Sequence, residues 1–402
     1  MSDCKTAVVA CEPVCTAPAA EGCVVRRVGI VATPPAPVAP PIECPYGEDD
    51  DAWFAATGLS ALTSLDIAGS GSFCGFGYGV ARNNCYWVLN SYSAGGGPPA
   101  IMVSASGKKW AKVVNADADE GAWLDTIYDP TDEQFVSVGV EVNNPIPAPS
   151  MRSVDNGVSW LFDNDMPVGG GKALIRVPQR YIVIPSDQEA PGDLHFSPDA
   201  LSWSVSNALT SGAGGAGIFN RLAYSPSLAR LVICGVALAG GIVFNYSDDD
   251  GDTWTPASAV AGGVVNVIDV IWSERLSLFI ACGVRTGFSP LIAIWTSVDG
   301  SSWVVTSVSD VINFKWVIDA TDMEKIVFVC DDLGGDPILA FTTDFLSFDT
   351  LSVPANVQYL VKAAYTTDHG VNGRIIVAGK KNPDDGYIAW TDDLITLTEA
   401  TP

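Results

Sequence analysis

The chain is short of histidine, of positive charge and of long apolar runs. Its 402 residues hold two histidines, and 21 basic side chains face 46 acidic ones, for a formal charge of −25. So few histidines argue against a His-based metal centre. His195, between Asp193 and Ser197, reads as a loop histidine rather than the base of a nucleophilic triad. The acidic excess has the wrong sign for nucleic acid or an anionic membrane surface. The longest apolar stretch, Leu231 to Phe244, is 14 residues broken by glycines, too short to span a bilayer. The opening MSDCKTAVVACEP has no apolar run before its first proline, so it does not read as a secretory signal, and synthesis in a cytoplasm is expected. No HExxH, G-x-S-x-G or Walker motif occurs. GAGGAG, Gly212 to Gly217, has the letters of a dinucleotide fingerprint but leads into a strand pattern where that site needs a helix.

What is present is a core-forming composition, 48% hydrophobic and 17% charged, arranged as a repeat. SASGKKW, SVDNGVSW, SPDALSW, SDDDGDTW and SVDGSSW end at Trp110, Trp160, Trp203, Trp254 and Trp303, and two degenerate copies, TTDFLSF and TDDLITL, end at Phe348 and Leu397. Only the first lacks the aspartate, with Ser106 in its place. Upstream of each lies a β-rich run (YWVLN, FVSVG, YIVIP, LVICG, FIACG, VFVCD, IIVAG), whose ends are 49, 46, 50, 48, 48 and 48 residues apart. Earlier still, Tyr128, Arg176, Tyr224, Trp272 and Ala320 fall 48 apart. Val, Ile and aromatics fill the runs, while Gly, Pro, Asn and Asp separate them, as strands and turns require. Four antiparallel strands per unit is the spacing of a propeller blade, so the reading is all-β, a seven-bladed propeller over residues 50–402. Residues 52 to 66, AWFAATGLSALTSLD, are a candidate closing strand beside the last unit.

Within each turn an aspartate accepts backbone N–H bonds and the aromatic wedges between sheets. Ser153, Asp155, Trp160, Asp199, Trp203, Ser247, Asp249, Trp254, Asp299 and Trp303 are therefore assigned structural roles. The S-x-D-x-G-x-x-W pattern resembles the Asp-box (BNR) repeat of sialidase-like propellers, and the wider unit is similar to repeats of phage and bacterial BNR-type proteins. The resemblance covers about residues 75 to 400. It implies that fold, and it invites a test for sialidase residues. IRVP, Ile175 to Pro178, is similar to the F/Y-R-I-P of that family, but it comes after two boxes instead of preceding the first. Only Arg82, Arg176 and Arg221 lie near inner strands, and no full arginine triad or Tyr–Glu pair can be assembled.

Residues 1–49 form a distinct arm with eight of the 26 prolines and five of the ten cysteines. Such a segment favours extended polyproline II and needs a surface to lie on, its own propeller or a neighbouring subunit. Cys4, Cys11, Cys15, Cys23 and Cys44 lack paired CxxC spacing, so disulfides fit better than zinc. Cys74 and Cys85 are open to pairing with each other or with the arm. Cys234, Cys282 and Cys330, 48 apart, read as small buried side chains. The acidic runs GEDDD and SDDDGD are mainly solvated surface, with calcium an alternative at the second.

The mouth of a propeller is where ligands meet residues from all blades. Tyr128, Arg176, Tyr224, Trp272 and Tyr365 are the candidates there, suited to a sugar ring or an acidic group. No catalytic set emerges. The expected function is therefore a non-enzymatic structural or adhesion component of a virus particle, most simply a bacteriophage tail-associated, fibre or decoration protein. Its arm would dock on other virion proteins, and its propeller would present a face to a host-surface glycan or protein within an oligomeric assembly. The alternatives are a sialidase-like glycan-binding or glycan-hydrolysing protein, secreted or cytoplasmic, and a propeller scaffold or assembly factor.

Overall fold

The computed structural model describes residues 46, 48–62, 75–79, 85–90, 101–113, 121–141, 150–163, 166–167, 170–186, 193–206, 217–237, 244–258, 265–285, 292–307, 313–332, 334–367, 372–381 and 386–401. The chain divides into two units, Met1–Pro41 and Ile42–Pro402. The first lies outside the described residues, as do Cys4, Cys11, Cys15, Cys23, Cys44, Cys74, His369 and most of GAGGAG.

After one α-helix, α1 (Asp50–Thr57), the regular elements among the described residues are antiparallel strands, apart from a single 3-10 turn at Thr321–Met323. The first sheet is β1 (Gly75–Gly79), β2 (Tyr86–Asn90), β3 (Ile101–Ser104) and β4 (Ala111–Val113), paired in chain order. The same meander recurs as β5 (Gly121–Asp129), β6 (Gln134–Glu141), β7 (Ser150–Ser153) and β8 (Leu161–Asp163), then as β9 (Ala173–Val177), β10 (Arg180–Ile184), β11 (Leu194–Ser197) and β12 (Ser204–Ser206). An eight-stranded sheet comes next. It holds β13 (Gly217–Ser225), β14 (Arg230–Ala237), β15 (Phe244–Ser247) and β16 (Thr255–Pro256), and beside them β17 (Val265–Ser273), β18 (Leu278–Arg285), β19 (Ile292–Ser297) and β20 (Val304–Ser307). A single pair, Val236 with Asn266, joins its halves. The last two sheets are β21 (Asn313–Ala320), β22 (Lys325–Asp331), β23 (Pro337–Thr342) and β24 (Asp349–Ser352), then β25 (Val357–Thr366), β26 (Arg374–Lys381), β27 (Gly386–Thr391) and β28 (Thr398–Glu399). The first strands β1, β5, β9, β13, β17, β21 and β25 touch in succession, and β25 touches β1. The apolar core lies between neighbouring sheets; one cluster, for example, joins Ile280, Cys282 and Ile294 to Phe314, Phe328 and Cys330. Among the described residues no helix is long and apolar enough to cross a membrane.

The periodic turns hold as their residue types require. Asp155 Oδ1 accepts from Ser153 Oγ at 2.8 Å and from the Ser159 N–H at 2.8 Å, and Trp160 Nε1 donates to Gly157 O at 2.9 Å. Asp249 and Trp254 repeat these bonds, with Ser247 Oγ and Thr253 as donors. So do Asp299 and Trp303. Asp199 accepts from the Ser202 N–H at 2.8 Å, but Trp203 Nε1 has no acceptor among the described residues. In each case the donor N–H belongs to the residue just before the aromatic.

The first turn solves the absence of its aspartate from outside. Asp50, in α1, is buried and reaches into it: Oδ1 accepts from Ser104 Oγ at 3.0 Å, Ala105 N–H at 2.8 Å and Ser106 N–H at 3.0 Å. Oδ2 accepts from Ser106 Oγ and, at 3.1 Å, from the N–H of Lys109, the residue before Trp110. The stretch expected as a closing strand is instead α1 over its first residues. Asp49 caps it by accepting from the Ala52 N–H at 2.9 Å, acidic side chains occupy its first turn, and Gly58 ends it at φ 73°. Trp53 then stacks on Tyr86 with ring centroids 4.7 Å apart.

The same segment fastens the last sheet to the first. Glu48 pairs with Lys108 and, at 3.0 Å, with Arg374 of β26. Arg374, 1% exposed, also donates to Ser106 O at 2.7 Å. Thr401 N donates to Lys108 O at 2.9 Å, and Leu62 N to Trp110 O at 2.9 Å. The GEDDD run is therefore a set of ties, not merely solvated surface.

Candidate functional site

Five of the innermost strands carry a β-bulge in their first half, between Trp123 and Asp125, Phe219 and Arg221, Val267 and Asp269, Phe314 and Trp316, and Leu360 and Lys362. A bulge inserts one residue against the partner strand and re-aims the side chains beyond it. The partner strand must come close there, which explains part of the periodic glycine set. A Cβ on Gly235 would meet Ile218 O at 2.1 Å, and one on Gly283 would meet Asn266 O at 2.1 Å, so only glycine fits opposite these bulges.

The residues after the bulges converge. Asp125 accepts from Lys362 Nζ at 2.9 Å and from Arg221 Nη1 at 3.1 Å, so one carboxylate ties strands from three different sheets. It also accepts from the Leu174 N–H at 2.9 Å. Burial alone would raise its pKa, but Lys362, Arg221 and that N–H outweigh burial and hold it below the usual carboxylate range. The Arg221 guanidinium and the Lys362 ammonium each lie 4.5 Å from the Trp316 ring centroid. Asp269 accepts from the N–H groups of Val270 and Val317, both at 2.9 Å, yet burial pushes its pKa up to about 6.

Three of these side chains, Arg221, Trp316 and Lys362, wall a cavity of about 550 Å³ together with Leu124, Lys172, Ile268, Phe314, Lys315, Asp331, Tyr359, Leu360 and Val361. Its volume is that of a small-ligand site. Lys315 pairs with Asp331 at 2.6 Å. Lys172 Nζ donates to Phe219 O at 3.1 Å and to Asn220 Oδ1 at 2.6 Å, both neutral oxygens. Burial and the neighbouring Arg221 charge push its pKa down.

The five side chains expected at the mouth lie three or four residues farther along the strands, and none of them walls this cavity. Tyr128 packs on Phe135 with ring centroids 5.2 Å apart. Arg176 pairs with Asp129 at 2.8 Å and lies over the Tyr181 ring. Tyr224 packs against the core cluster that holds Phe219 and Trp254. Trp272 meets Phe279 at 4.7 Å between centroids. Tyr365 Oη accepts from the Asp322 N–H at 2.9 Å and donates to Asn372 O at 3.0 Å. Of the cavity cations, sequence reasoning singles out Arg221 alone, as an arginine near an inner strand. The glycine ending most second β runs is the available signal for the rest.

His195 is not in a loop. It lies in β11, 2% exposed, and burial lowers its pKa to about 4. Cys234, Cys282 and Cys330 are free and buried, which pushes their thiol pKa values up, for Cys330 to about 12. Cys85 is disulfide-bonded. In the SDDDGD run, Asp248 pairs with Arg230 and Asp252 with Arg180, each at 2.6 Å, while Asp249 holds its turn. Among the described residues no three His, Cys, Asp or Glu side chains gather to hold a metal ion, so the calcium alternative finds no ligand set there.

No protein family and no curated protein matches the chain. Solved structures of β-propeller type do match its fold. The BP39L lectin from Burkholderia pseudomallei is 13% identical with a TM-score of 0.57, over 82% of this chain and 99% of that one. YCF48 from Cyanidioschyzon merolae is 11% identical with a TM-score of 0.53, over 82% and 98%. The GH74 xyloglucanase from Xanthomonas campestris is 14% identical with a TM-score of 0.50 over 78% of this chain, which spans about half of that enzyme's length (51%). At these identities the likeness is one of fold alone: the chain is an all-β protein of propeller type.

Proposed function

We propose that this chain is a seven-bladed propeller that acts as a non-enzymatic saccharide-binding module, with the central cavity as its site. The blade count is supported by five separate four-stranded sheets plus the two halves of the eight-stranded one, and by the cyclic contact of their first strands. The saccharide reading is supported by a fold shared with a lectin and with a glycoside hydrolase.

One observation favours binding over hydrolysis. Two-carboxylate glycoside cleavage needs one carboxyl that carries a proton and a second, unencumbered one. Asp269 has the raised pKa of a proton carrier but does not wall the cavity, while Asp331 is paired with Lys315 and Asp125 is shared by Lys362 and Arg221, which keep it ionised, so neither is unencumbered. The aromatic wall of Trp316 and Tyr359 suits the apolar face of a sugar ring. The particle-bound reading, in which the arm docks on a virion, is supported by the arm's composition and the repeat resemblance.

The test pairs two assays on the purified chain, turnover of a panel of fluorogenic glycosides and saccharide binding by calorimetry. Binding without turnover is expected, and a chain lacking residues 1–45 should still bind saccharide while no longer associating with particles. Turnover abolished by Asp125→Asn would overturn the non-enzymatic reading.

A further inference from the structure

The cavity runs against the charge of the molecule. The chain carries −25 overall, yet four of its 21 basic side chains, Lys172, Arg221, Lys315 and Lys362, wall this one space. Three carboxylates stand beside them: Asp331 serves Lys315, Asp125 is divided between Lys362 and Arg221, and Asp269 lies near Arg221. Among the described residues Lys172 Nζ meets neutral oxygens only. A half-buried ammonium next to a guanidinium is held in its charged form at a cost, and a bound anion would remove that cost.

We propose that the ligand is an acidic saccharide, its carboxylate held by Lys172 and Arg221 and its ring against the aromatic wall that includes Trp316. This rests on the saccharide reading above and narrows it to the charged members of that class. Lysine and arginine at the edge of a partly dry cavity bind a carboxylate by charge-assisted hydrogen bonds, stronger than those to a neutral hydroxyl. The acidic surroundings disfavour a long polyanion, because every charge beyond the four cations meets repulsion, whereas a single carboxylate sits among them. A neutral sugar would leave Lys172 as it stands, so discrimination against neutral relatives should be large.

Calorimetry of the full chain with galacturonate, its methyl ester, neutral galactose and sodium sulfate tests this. The acid should bind at least about tenfold more tightly than the ester or the neutral sugar, a difference of about 1.4 kcal/mol, and its affinity should fall as salt rises. Lys172→Met should remove that preference while Lys172→Arg keeps it; neither touches Asp125. Ester and acid binding equally would overturn the inference and leave the saccharide reading standing. Binding of none of the sugars would overturn the reading beneath it. Sulfate binding as tightly as the acid would overturn the sugar part, making the cavity a simple anion site.

Discussion

The two halves of the innermost strands carry similar side chains and use them in opposite ways. In the bulged half, Asp125, Arg221, Trp316 and Lys362 meet across the centre. A few residues on, Tyr128, Arg176, Tyr224, Trp272 and Tyr365 are spent on packing, on the ion pair to Asp129 and on hydrogen bonds to neighbouring loops. Alternation alone puts residues an odd number apart on opposite faces of a strand. Residue type therefore does not decide which aromatic or arginine reaches the cavity. Position relative to the bulge does.

Substitutions at the two ends should separate accordingly. Asp125→Ala strands Lys362 and Arg221 and takes an acceptor from the Leu174 N–H. Breaking a buried pair in this way should cost about 3–5 kcal/mol in urea unfolding. The pH dependence has a definite sign. Because the folded pKa of Asp125 is depressed, its stabilising contribution is present above the unfolded value near 4 and is lost as pH falls through the folded one. The variant should therefore lose less stability than the parent as pH falls below about 4. A parent curve no steeper than the variant's would contradict the assignment of Asp125 as the ionised hub. At the packed end, Tyr365→Phe removes the hydroxyl shared by the Asp322 N–H and Asn372 O, an expected loss of about 1 kcal/mol. Saccharide affinity should stay unchanged in that variant, and a change would blur the distinction between the two ends.

The contrast also shows how much is legible in the residues alone. The period of about 48 residues, the strand-rich units and the turn chemistry of Asp155, Asp249 and Asp299 come from local residue choices, and the turns form as those choices require. The cavity does not come from them. Its members run from Leu124 to Lys362 and share no residue type, although Leu124, Lys172, Ile268 and Trp316 keep the 48-residue period, four positions ahead of Tyr128, Arg176, Trp272 and Ala320. A bulge shifts parity by one residue without announcing itself, except through the glycine it needs opposite. The Asp50 contact is hidden for a different reason. Ser106 signals that the first turn lacks its carboxylate, but nothing local says that a helix some 56 residues upstream provides one. The acidic run at 48–51 looks like solvated surface until Arg374, Lys108 and Lys109 are placed around it. His195 shows the same limit, since a short strand between polar residues reads as loop until β10 and β12 pair with it on either side.

On the reading proposed above, function sits where the bulged strands converge, and not on the turns or the outer edges. The decisive experiment is a crystal structure of the chain soaked with galacturonate. Density for the sugar should appear inside the central cavity, with its carboxylate within hydrogen-bonding distance of Lys172 Nζ. Ordered sugar bound at the periodic turns or on an outer strand, with the central cavity empty, would contradict it.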